Sequence, residues 1–208
     1  MLKSLALIIP ICIAGSNVQA QTQAPTPPAA APKTLFVRGA IESVEPSVLV
    51  IKPRSGDVMR VKVADDLVVS EVFPVDIATI QPGSFVGTTA MPNADGTLQA
   101  LEIHVFPESG RGSGEGHRPW DLKPQSTMTN ATVSHIVTGV KGRQLTLIYK
   151  DGEKTVIVPE NVPIVTYRPG DRSLLKPGAK VFVSVTSSDG QLQATRIMVG
   201  KDGFTPPM

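Results

Sequence analysis

The segment Asp76 to Gly83, DIATIQPG, returns as DRSLLKPG from Asp171 to Gly178, and Asp95 to Val105, DGTLQALEIHV, returns as DGQLQATRIMV from Asp189 to Val199. Val61-Lys62-Val63 likewise lies over Val156-Ile157-Val158. An internal repeat constrains the fold more than composition does, because each copy is one supersecondary unit and must bury the same face. Around the matched positions, runs of β-branched residues alternate with polar ones between turn residues, the pattern of half-buried strands. Strands are expected near 37–45, 47–53, 57–64, 84–91 and 97–106, and again near 131–138, 143–150, 153–159, 179–186 and 191–199.

The matched residues carry local instructions. Asp76 and Asp171 can each cap a single helical turn, which Pro82-Gly83 and Pro177-Gly178 then stop. Asp95-Gly96 and Asp189-Gly190 supply the positive φ of a tight hairpin. In the strand that follows, the core pattern Leu98, Ala100, Ile103, Val105 slips by one residue, as does Leu192, Ala194, Ile197, Val199, which predicts a bulge. Three strands, a helical turn and a hairpin give the element order of the OB-type barrel. The expected fold is all-β: two tandem five-stranded OB-like Greek-key barrels, over 37–106 and 131–200, each with one short helical turn.

Between the copies lies the connector 107–130, which opens PESGRGSGEGHRPWDLKPQSTM and holds the only tryptophan, Trp120. Glycines at 110, 112, 114 and 116 free its backbone, and Arg111, Glu115, His117, Arg118 and Asp121 surround Trp120 with polar groups. Two readings stand. Trp120 plugs the seam between the barrels while Arg118 and Asp121 fix the connector by ion pairs, or the cluster is a platform for a ligand or partner. The segments Gly114 to Asp121, Ser126 to Ala131 and Asp202 to Met208 resemble a family of small exported bacterial proteins of unknown function with tandem OB-like domains. Relatives in that family are sometimes labelled metal ABC transporter permease. This chain departs from the label, since no segment after the N-terminal one approaches the roughly 20 apolar residues of a spanning helix.

Met1 to Ala20 pairs Lys3 with an apolar run, Leu5 to Ala14, and ends Val18-Gln19-Ala20, so it reads as an export signal cut after Ala20. Cleavage removes Cys12, the only cysteine, and leaves a periplasmic chain without disulfides, thiol chemistry or cysteine metal sites. Residues 21–36 open with the Pro/Ala-rich QTQAPTPPAAAPK and read as an extended tether. The tail 201–208, ending Phe-Thr-Pro-Pro-Met, can dock back. A net charge of +2 with 18% charged residues gives no broad basic footprint for nucleic acid.

Chemistry-bearing patterns are sparse. The glycine spacing fits neither phosphate-cradling motif, and Ser109 and Ser113 lack the surroundings of a nucleophile elbow. Glu115 with His117 can present one ligand pair, and Glu102 with His104, two apart on a strand and so on one face, another, but neither spacing is diagnostic of a metal site, and His135 stands alone. Scattered methionines suit core filling better than a soft metal. Lys52, Arg54, Arg60 and Lys62 form a basic strip on the second and third strands without interleaved aromatics, and charged sheet edges explain it as well as a binding face does. No enzyme motif is present, no cofactor is implied, and no metal site is assigned. The expectation is a non-enzymatic binding or scaffolding protein of the envelope, its partner an envelope protein or polysaccharide and its site Arg111, Glu115, His117, Arg118, Trp120 and Asp121. Soluble metal handling, and hydrolysis of envelope polymers through Glu115, His117 or Asp121, are the alternatives.

Overall fold

The computed structural model describes residues 33–139, 142–188 and 190–208. The expected export signal, most of the tether, and Asp189 of the second hairpin lie outside the described residues. Apart from single 3₁₀ turns, the regular elements are strands: β1 (Lys33–Val44), β2 (Val48–Pro53), β3 (Met59–Pro74), β4 (Phe85–Pro92), β5 (Leu98–Val105), β6 (Gly116–Pro119), β7 (Thr127–Gly139), β8 (Gly142–Tyr149), β9 (Gly152–Val158), β10 (Ile164–Pro169), β11 (Lys180–Ser188) and β12 (Gln191–Gly200). No helix among the described residues is long and apolar enough to cross a membrane.

The turns form as their residues predict. The Asp76 carboxylate accepts from Ala78 N at 2.7 Å and caps Ile77–Thr79; Asp171 does the same with Ser173 N at 2.7 Å. Gly83 and Gly178 leave those turns at φ 89° and 86°, a region closed to most side chains. The two bulges also appear. The β4–β5 register slips between Thr89 and Ala90, and the β11–β12 register slips between Ser184 and Val185. That slip lets Ala100 and Ile103 face one core while Glu102 and His104 face away from it.

The fold is all-β, with a closed five-stranded barrel and additional strands. In the first ring β1 pairs with β2, β2 with β3, β3 in parallel with β12, β12 with β11, and β11 with β1. Its core includes Ile41, Leu49, Ile51, Val61, Val183 and Ile197. The other strands pair in the same cyclic order: β7 with β8, β8 with β9, β9 in a short parallel contact with β5, β5 with β4, and β4 with β7. Here the core includes Val86, Ile103, Leu145, Leu147 and Val156.

This pairing differs from a tandem arrangement. Each ring takes three strands from one copy and its closing hairpin from the other. The physical reason is the duplication itself, since a hairpin whose core face matches its own meander also fits the meander of the other copy, the condition for swapping. The exchange is made by β3, which runs on past the exposed Asp65-Asp66 pair to Pro74, where the sequence reading ended the strand near 64. Its last residues pair antiparallel with β10, a short strand the sequence reading omitted. Aligning Asp76 with Asp171 carries Val72 onto Tyr167, and these two residues face each other in that ladder. The ladder is therefore an approximate two-fold junction between the copies. A third apolar cluster surrounds it: Val72, Val165, Phe182, Met198 and Met208, with Phe36, Trp120, Tyr167 and Phe204 packed against it.

Candidate functional site

The connector is fastened at both ends. On the β7 side, Arg111 forks onto Glu108 (Nε to Oε1 2.6 Å, Nη2 to Oε2 2.8 Å) and donates to Gly83 O at 3.1 Å. Glu115 Oε1 accepts from Lys150 N at 3.0 Å, and His117 Nδ1 lies 2.8 Å from Thr129 Oγ1. Burial, with Lys154 and Arg118 nearby, holds the His117 imidazole below its ordinary pKa. Gly112, Gly114 and Gly116 take positive φ of 79°, 58° and 125°, the freedom this winding path requires. The path ends as β6, which pairs with β7.

On the other side the connector reaches the first ring. The half-buried Trp120 ring lies 4.5 Å from Phe36 with Arg118 5.6 Å over it, and Arg118 donates to Gly114 O at 2.8 Å. Asp121 accepts both arms of Arg38, at 2.7 and 3.1 Å. The Arg38 side chain is only 12% exposed, donates through Nε to Met208 O at 2.6 Å, and lies 5.2 Å over Phe182. A fork held on both sides and partly desolvated is worth more than an exposed pair.

The six connector residues read from the sequence therefore do not converge on one point. Arg111, Glu115 and His117 secure the connector near β4, β7 and β8. Arg118, Trp120 and Asp121 line two adjoining clefts that share Phe36 and Asp121. One cleft, of about 570 Å³, is mixed, with Arg38, Arg54, Asp57 and Asp121 in its wall beside Phe36, Val58 and Met59. The other, of about 620 Å³, is mainly apolar, with Leu35, Phe36, Pro119 and Trp120. Phe36, Arg38 and Arg54 belong to this site and were not assigned to it from sequence. In the sequence Arg54 belongs to the basic strip of the second and third strands, while Phe36 and Arg38 carry no spacing signal that separates them from ordinary strand residues.

Arg54 donates to Pro206 O at 2.6 Å, and burial followed by the neighbouring Arg38 charge lowers its pKa. The rest of the strip is engaged in part: Arg60 forks onto Glu45 and Lys62 donates to Gln191 Oε1 at 2.7 Å. The tail docks, as the sequence allowed. Pro206 and Met208 are buried, and a Cβ at Gly200 would collide with Phe204 O, so only glycine lets the tail pass there.

The other pair read from sequence, Glu102 and His104, sits on the outer face of β5. Glu102 is fully buried, with Oε1 accepting from Thr89 N at 3.2 Å and Thr89 Oγ1 at 2.8 Å while Oε2 has no partner among the described residues. Burial pushes its carboxyl up to about 7, against the opposing pull of the Thr89 hydrogen bonds and Arg38. His104 stacks on Phe106 at 4.6 Å and meets the edge of Tyr167 at 4.9 Å. Burial, assisted by Arg196, pulls it down to about 4. In the alignment of the copies Glu102 falls on Arg196 and His104 on Met198, so the two outer faces have diverged in charge. No group of three His, Cys, Asp or Glu side chains fit to hold a metal occurs among the described residues.

Comparison of the chain with protein-family models, with curated proteins and with solved structures gave no match.

Proposed function

We propose that this is an exported, non-enzymatic binding or scaffolding protein of the bacterial cell envelope, acting in the periplasm as two OB-like barrels that exchange hairpins. The parallel closure of the third strand on the fifth in each ring supports the OB-like reading. One observation carries the functional reading. The connector ends in two adjoining clefts, one apolar at Trp120 and one with Arg38 and Arg54 in its wall. Concave sites that join aromatic surface to a few fixed polar groups are where ligands bind. An anionic or hydroxyl-rich envelope polymer suits this combination, and Arg111, Glu115 and His117 serve it by holding the connector in place.

Trp120 emission in the purified mature protein tests the proposal directly. Soluble cell-wall fragments should shift or quench it saturably, and Trp120→Phe together with Arg54→Gln should abolish binding while far-UV circular dichroism stays unchanged. A signal that ignores every fragment, with full binding retained by both variants in pull-down, would remove the clefts as the site. A saturable response to zinc or copper alone would move the assignment to soluble metal handling.

A further inference from the structure

We infer, building on the cleft reading, that the groove through Phe36, Trp120, Arg38 and Arg54 is a receptor for an extended Thr-Pro-Pro segment, and that the segment comes from a second copy of this chain. The structure already holds one such segment. Thr205-Pro206-Pro207 crosses the first ring with Pro206 O accepting from Arg54 and Met208 O accepting from Arg38, both at 2.6 Å. Proline has no N–H and cannot pair as a ladder strand; Arg54 supplies the donor for the Pro206 carbonyl, and Arg38 holds the oxygen of Met208, the residue after the second proline. Gly200 lies beneath Phe204 O and the Pro206 ring, clearing the track. Phe204 and Met208 pack into the cluster that contains Phe36 and Trp120. Proline-rich segments recognised on aromatic-lined grooves obey the same logic.

The groove is not used up by the tail, because the clefts beside Phe36 continue to Thr34 and to Leu122. The same tripeptide stands a second time in the chain, as Thr26-Pro27-Pro28 within Pro25 to Pro28. In sequence it stands six residues before Thr34, which lines the apolar cleft. Two copies placed about a two-fold would present these segments to each other's grooves reciprocally, the isologous arrangement commonest among oligomers. The tail competes for the Arg38 and Arg54 donors, so it sets how strongly the copies associate.

The test uses full-length mature protein and a synthetic peptide of the sequence QAPTPPAAAP, from Gln23 to Pro32. Gly200→Ala lifts the tail. This variant should bind the peptide at least tenfold more tightly than the parent chain, read by Trp120 emission, and should sediment as a dimer at concentrations where the parent is a monomer. Adding Arg54→Gln should weaken the peptide at least tenfold, and a scrambled peptide should not bind. A folded Gly200→Ala chain whose tail has become protease-sensitive, yet which neither binds the peptide nor self-associates, overturns the inference. If Gly200→Ala does not fold, millimolar peptide added to the parent chain should displace the Met208 methyl resonance, and an unmoved resonance overturns it equally. Cell-wall fragments that alter Trp120 while the peptide does not would defeat this inference and leave the polymer reading intact; the reverse would defeat the polymer reading alone.

Discussion

Glu102→Gln turns a stability profile that is nearly flat in the joint contribution of Glu102 and His104 into one that rises from about pH 4 to 6.5, and it stabilises the protein above pH 7. The cause is a buried carboxyl and a half-buried imidazole with an enclosed Nε2, which have opposite linkage. Glu102 has its folded pKa raised to about 7 from the ordinary carboxyl value, so its contribution is full below about 4.5 and is lost as pH rises through 7. His104 has its folded pKa lowered to about 4, so its contribution is full above about 6.5 and is lost as pH falls through 4. Each amounts to on the order of 3 kcal/mol, and between about pH 4.5 and 6.5 the two slopes offset. Removing the carboxyl leaves the histidine slope alone. At pH 8 Gln escapes the ionic penalty but leaves a buried amide donor unpaired, for a net gain of about 1–2 kcal/mol. His104→Met, the residue found at the matching place in the other copy, does the opposite and makes stability fall from about pH 4.5 to 7. Urea midpoints of both variants and the parent at pH 4.5, 5.5, 6.5 and 8 decide the matter, with the exposed carboxylates common to all and cancelling in the difference. Two variant profiles parallel to the parent's would refute the linkage.

Leu147→Ala should cost about 2–5 kcal/mol, the range for emptying a fully buried leucine site. The cavity lies in the β7–β9 ring, whereas the Phe36 against which Trp120 packs belongs to the first. Because each ring is closed by a hairpin from the other copy, and β10 joins β3 to β5, neither ring can open without unzipping strands of its neighbour. Unfolding followed by far-UV circular dichroism and by Trp120 emission should therefore shift together, as one transition. A dichroism midpoint that falls while the Trp120 midpoint stays would mean that the rings melt independently.

The strands themselves were legible because their cores alternate, and the turns because Asp76, Gly83, Gly96 and their counterparts have one local solution each. What local pattern could not reveal is which copy a hairpin joins. Val61 and Val156 present the same face, so the β4–β5 hairpin satisfies either meander equally by composition, and the choice rests on the path of β3 beyond Asp66. The exposed pair Asp65-Asp66 reads as a strand end when burial is unknown, and Ile164–Pro169 is too short, and too close to prolines, to announce itself as β10. At the site, Trp120 and Asp121 stood out by rarity and charge in a glycine-rich stretch. Their partners did not, because Phe36 and Arg38 look like any strand pair until the fold sets them against the connector and the tail. Arg111, Glu115 and His117 carry the same side-chain chemistry whether they bind a ligand or fasten a loop, and only their contacts with Gly83, Lys150 and Thr129 separate the two.

Exchange of hairpins is tested most directly by a disulfide, since cleavage at Ala20 would leave a chain without cysteine. Lys62 and Gln193 are exposed and directly opposed across the parallel β3–β12 contact, within the Cα spacing a disulfide spans. In a tandem arrangement Lys62 would instead face Gln99, the counterpart of Gln193 in the first copy. Lys62→Cys with Gln193→Cys should oxidise quantitatively to a monomeric cross-linked product, while Lys62→Cys with Gln99→Cys should stay reduced under the same conditions. Efficient cross-linking of the second pair and not the first would contradict the exchange.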